Sequence, residues 1–274
     1  MTSVTARDYA WIRSSPLFRQ ALDCGYSMAL VRGVPPEEVL RVMDAEPQGT
    51  CEGVAEWIER QDELCDALDF SDDSFLAGAF TVPGEDGDWT LVWELARGGT
   101  GIRPRFLEAL SAGGRAVQHS SNGGKPIDGF SWYEDGELRT TFEAPPTYRS
   151  GSTPDALLPL MGEVGCDLRD VQDRTAGPAD DKAAVLALTE RLTGVRLTEE
   201  VLRDAHYRLG LVPEEPVEEW TSVTVDITDA HGERFHRVFT RTRIEEAASR
   251  ARAQAAPRID PIPVRTSSND PGRA

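Results

Sequence analysis

The sequence predicts an α+β protein: a mainly antiparallel sheet of five or six strands with flanking helices, then a small C-terminal β-hairpin and helix. Three observations lead there. Residues 75–143 place apolar side chains at period two between turn-forming stretches. Residues 52–68 and 181–192 space theirs at helical intervals. Residues 220–244 repeat a strand-turn-strand pattern beyond a proline- and glutamate-rich joint, VPEEPVEE at 212–219. The predicted organisation is a core domain over 1–212, a hairpin-helix appendage over 213–256 and a disordered tail over 257–274.

Residues 7–23 carry Tyr9, Trp11, Ile12, Leu17, Phe18 and Leu22 on short helical pieces broken by Pro16. The apolar run 26–31 (YSMALV) has strand length, and 33–43 reads as a turn and short helix. There Pro35 and Pro36 suit a first turn that needs no N–H, and Glu37 and Glu38 complement its positive end. Residues 52–73 hold nine acids against Arg60 alone, with Val54, Trp57, Ile58, Leu64 and Leu68 interleaved, as in amphipathic helices with a solvated acidic face. A strand at 75–82, a turn at 83–88 and a strand at 89–94 follow, with Trp89, Leu91 and Trp93 sharing one face. A helix at 104–111 stops at Gly113 and Gly114, and strands fill 115–120 and 129–134. Asp135-Gly136 turns the chain into a strand at 137–143. Helices then dominate: one after the cap Ser152-Thr153-Pro154, one over 181–192, and one starting at Thr198.

Charge narrows the partners. The chain of 274 residues has 29 basic and 47 acidic side chains, a formal charge of −18, and a mean hydropathy of −0.40. Duplex DNA and anionic membranes both demand clustered cations, so nucleic acid and membrane are disfavoured and a protein partner is the expected one. No run of 18 apolar residues occurs, and residues 1–25 do not read as a signal peptide. The cysteines Cys24, Cys51, Cys65 and Cys166 form no C-x-x-C pair. They read as reduced thiols, and the cytoplasm is the expected compartment. All but two of the basic residues, Lys125 and Lys182, are arginine.

No motif supplies a catalytic centre. His119-Ser120-Ser121-Asn122-Gly123-Gly124-Lys125-Pro126 approaches a phosphate loop but has histidine for the first glycine and proline for the magnesium-binding hydroxyl. Gly25-Tyr26-Ser27-Met28-Ala29 approaches a nucleophile elbow but continues as an apolar run with no turn. His231 and His236 are five apart across a predicted turn and lack a cysteine partner, so no metal site and no cofactor are expected.

One local contrast remains. Residues 231–258 contain seven arginines and three glutamates, +4 within a chain of −18. Arg234, Arg237, Arg241 and Arg243 are the candidate partner-binding residues, either as an edge balancing the acidic body or as a docking surface.

Six phrases in order, YSMALVRG (26–33), GDWTLVWEL (87–95), LSAGGRAV (110–117), YEDGELRTTF (133–142), PDALLPLMGEVG (154–165) and LALTERLTGVRL (186–197), resemble an uncharacterised family of domain-of-unknown-function proteins from high-GC Gram-positive bacteria. The resemblance runs from about residue 8 to about residue 206 and implies no activity, cofactor or catalytic residue. The acidic stretch 46–74, the Gly-Gly-Lys loop at 123–125 and everything after 213 depart from the family pattern. The expectation is a non-catalytic cytoplasmic binding module of the immunity or antitoxin kind whose acidic surface engages a basic protein partner. The alternatives are an enzyme with a dispersed active site and a regulator contacting nucleic acid through 234–252.

Overall fold

The computed structural model describes residues 4–16, 25–67, 74–95, 102–123, 128–169, 173, 178–215, 221–228 and 234–243. The chain divides into two compact units, Met1–Glu215 and Pro216–Ala274. The first holds a nine-stranded antiparallel sheet, so the class is α+β. The expected five or six strands were too few.

Strands β1 (Tyr26–Arg32), β2 (Glu46–Glu52), β3 (Phe75–Gly84), β4 (Gly87–Leu95), β5 (Arg115–Ser121), β6 (Asp128–Glu134), β7 (Glu137–Glu143), β8 (Arg149–Ser150) and β9 (His206–Val212) lie in the order β2-β9-β3-β4-β1-β5-β6-β7-β8. Six of these match the six strands expected from alternation. The other three escaped for physical reasons. β2 is an edge strand exposed at every position but Cys51, so it has no apolar face to alternate. β8 has two residues. β9 follows a helix directly, without a glycine or proline turn to mark its start.

Helices cover both faces. On one, α1 (Pro36–Val42) and α3 (Pro104–Leu110) bury Val39, Leu40, Phe106 and Leu107 against Ala29, Val31 and Val92. On the other, a 3-10 segment (Ala6–Arg13) and the helices α2 (Gly53–Ala67), α4 (Leu158–Val164), α5 (Pro178–Thr193) and α6 (Glu199–Arg203) pack over Met28, Leu91, Trp93 and Phe130. Period-two alternation explains both layers at once: successive residues of β1 feed opposite cores. Trp89, Leu91 and Trp93 share the second core, as expected. α5 begins at Pro178, earlier than the predicted 181, which puts Lys182 inside the helix.

Three aromatics stack where α2 crosses the sheet. Trp57 lies 4.8 Å from Trp93 and 5.8 Å from Tyr207, ring centroid to ring centroid. Gly78 makes room for them, since a Cβ there would stand 3.0–3.1 Å from Tyr207 and Trp57 ring atoms. Tyr9 anchors the 3-10 segment: its hydroxyl donates to Glu190 at 2.8 Å and accepts from the Leu197 amide at 3.3 Å.

The second unit contributes a hairpin of β10 (Ser222–Thr228) and β11 (Arg234–Thr240), paired from Ser222↔Thr240 to Thr228↔Arg234. Residues 241–243 begin a helix, and the rest of the helix predicted to 256 lies outside the described residues, as does the tail 257–274. Among the described residues no helix is long and apolar enough to cross a membrane.

Candidate functional site

Two places carry unusual chemistry, and each belongs to one unit. The first is a polar row inside the sheet. Register pairs Tyr26 with Ser121 and Ser121 with Asp128, so β1, β5 and β6 present these three side chains side by side on one face. His119, two residues earlier on β5, shares that face. The Tyr26 hydroxyl and His119 Nδ1 are hydrogen-bonded at 2.9 Å, and all four residues are buried. α5 closes the row from above, where Lys182 Nζ donates to both Asp128 oxygens at 2.5 and 2.7 Å.

Burial sets the ionisation of this cluster. Desolvation drives the His119 pKa down to about 4; Asp128 opposes that shift and Lys182 adds to it. The ring is therefore neutral near pH 7, and its Nε2 makes no hydrogen bond among the described residues. Burial, reinforced by Asp128, pushes the Tyr26 hydroxyl well above its ordinary range. A general base works best with a pKa near the operating pH, and His119 is displaced far from it. Both Asp128 oxygens are taken by the ammonium. The Lys182–Asp128 pair ties α5 to β6.

Sequence reasoning missed it, although one signal was present. A chain that uses arginine almost everywhere keeps lysine at 182. Ser27, at the centre of the near nucleophile elbow, is a fully buried strand residue on the opposite face. Its Oγ accepts from the Ile102 amide at 3.1 Å and the Gln118 amide group at 2.9 Å. Of the near phosphate loop, His119 to Ser121 are strand, and residues 124–127 lie outside the described residues.

A groove of about 600 Å³ in the first unit is lined by Glu37, Phe80, Val82, Glu200, Val201 and His206 among others. His206 is paired with Glu52 at 2.7 Å. Neither His119 nor Lys182 lines this groove. Among the described residues no group of three or more His, Cys, Asp or Glu could hold a metal ion.

The second place is the hairpin. Cross-strand pairs share a face, so Val223/Phe239, Val225/Arg237 and Ile227/Phe235 form one side, while Asp226/His236 lie on the other. Val223, Ile227 and Phe235 on the first side, and Val238 beside Thr224 on the second, are four of the six exposed large apolar side chains among the described residues. The predicted partner-binding arginines separate here. Arg234 sits on the polar side, its Nε donating to Asp226 at 2.7 Å and its Nη2 to the other oxygen. Arg237 sits on the apolar side, with its guanidinium 5.2 Å from the Phe239 ring centroid. Arg241 and Arg243 are exposed on the helical turn that follows, and the Arg241 amide donates to Thr221 at 3.1 Å. The structure places the four on different elements and faces. His231 lies outside the described residues; His236 is 3.3 Å from Asp226.

Comparison by sequence matches residues 2–217 to a family of unknown function. The chain belongs to that family, DUF6461. The DUF6461 match takes in the whole nine-stranded sheet and ends before β10, so the hairpin lies beyond it. No curated protein and no solved structure matches the chain.

Proposed function

We propose that this DUF6461 protein is a non-catalytic, cytoplasmic protein-binding module of the immunity or antitoxin kind, and that its C-terminal hairpin is the docking element. One observation carries the reading: exposed apolar side chains gather on a two-stranded sheet outside the family-matched region. A lone hairpin is barely stable in water, and one that displays Val223, Ile227 and Phe235 gains by being covered. The acidic composition supports a soluble body, and the preference for arginine over lysine supports an origin in a high-GC Gram-positive bacterium. The enzyme alternative finds less support. Its perturbed histidine and the 600 Å³ groove are in different places, and the ion pair uses up the groups that acid–base chemistry would need.

The test is recovery of the tagged full chain from its native host at about 50 mM salt, where exposed charges are weakly screened. The reading expects a second protein in stoichiometric amount that dissociates as salt rises. Recovery of the chain alone would contradict it.

A further inference from the structure

The docking reading leaves the partner's chemistry open, and the centre of the hairpin face constrains it. We infer that the occupant is a separate protein whose docking surface is apolar and carries a carboxylate that pairs with Arg237; this rests on the docking reading above.

Arg237 is paired with Val225, so it stands midway between Ile227/Phe235 at one end of the face and Val223/Phe239 at the other. Any partner that covers the apolar residues also covers this guanidinium. Among the described residues no carboxylate pairs with it, whereas Arg234 on the other side is already held by Asp226. A guanidinium stripped of water without an anion opposes binding, and a carboxylate that meets its planar fork removes the penalty. Residues 221–243 carry four arginines against Asp226, Asp229 and Glu233, a net +1, so the demand for a carboxylate comes from Arg237 at the centre of the face and not from the net charge of the stretch.

Two other occupants fit less well. A nucleic-acid backbone offers phosphate to Arg237 but nothing apolar to Ile227 and Phe235. A second copy packed through the same face about a two-fold axis would bring Arg237 towards Arg237.

The experiment uses the full chain with Arg237→Lys, which places a primary amine at the centre of the face. Treatment with a water-soluble carbodiimide in native-host lysate joins that amine to a carboxylate in contact with it, releasing water as an amide forms; the carbodiimide takes up the water as its urea. Mapping by mass spectrometry is expected to show position 237 linked to an Asp or Glu of another protein. Arg234→Lys, treated alike, is expected to link to its own Asp226. A photoreactive residue replacing Phe235 reports in parallel whether anything docks. Capture at 235 without a carboxylate link at 237 overturns the carboxylate inference and leaves the docking reading standing. Capture of nothing but the chain itself at 235 overturns both. Links to a second, isotopically distinct copy, or to nucleic acid, overturn the separate carboxylate-bearing protein.

Discussion

Lys182 reaches from α5 to Asp128 on β6 and donates to both carboxylate oxygens, at 2.5 and 2.7 Å, with the aspartate side chain 2% exposed. The pair joins a helix to a strand 54 residues away in sequence. Removing one partner strands the other charge. Lys182→Met is expected to cost about 3–5 kcal/mol in urea-unfolding stability. The double variant Lys182→Met/Asp128→Leu is expected to recover most of that loss, because an apolar pair leaves no orphan charge. Equal losses in the single and double variants would refute this account of the row.

His119 predicts the acid limb of the stability curve. Its folded pKa, about 4, lies below the unfolded value near 6.5, so the unfolded state binds the proton first as pH falls. The contribution is whole above pH 6.5 and is lost between 6.5 and 4, at a slope approaching about 1.4 kcal/mol per pH unit. Urea titrations of the protein and of His119→Gln from pH 7 to 4 are expected to converge as pH falls. Parallel curves would mean that the ring is already charged or exposed.

Gly78 tests the aromatic stack. Both neighbours of a new Cβ are ring atoms, of Trp57 and Tyr207, and those rings are themselves stacked. Gly78→Ala is therefore expected to destabilise by about 1–3 kcal/mol through overpacking. Altered tryptophan fluorescence in the folded state would accompany it. An unchanged melting curve and emission spectrum would show that α2 is free to shift.

Much of the fold was legible because the central strands bury at least one face and so alternate plainly: 26–31, 75–82, 89–94, 115–120, 129–134 and 137–143 all became sheet. Edges were not. β2, with Pro47, Gly49 and exposure along nearly its whole length, carries no periodic signal, and its register shifts between Pro47 and Thr50. β9 does alternate, at Tyr207 and Leu209, but nothing in the sequence says that a strand after residue 205 inserts between β2 and β3. The buried row was illegible for the same reason. Tyr26, His119, Asp128 and Lys182 meet through strand register and helix placement, which spacing along the chain does not reveal. The arginines were visible as a cluster, but only the pleat distinguishes Arg237, among apolar neighbours, from Arg234, neutralised by Asp226.

The central claim is that the exposed apolar side of the hairpin holds a partner. Ile227→Ser/Phe235→Ser changes only that side and leaves the first unit's core untouched. The deciding measurement is quantitative capture from native-host lysate with the full chain and with this variant, each first shown to be folded. The account predicts a stoichiometric partner on the unaltered chain and at least roughly a tenfold loss on the variant, the equivalent of about 1.4 kcal/mol. Equal recovery on both would contradict it.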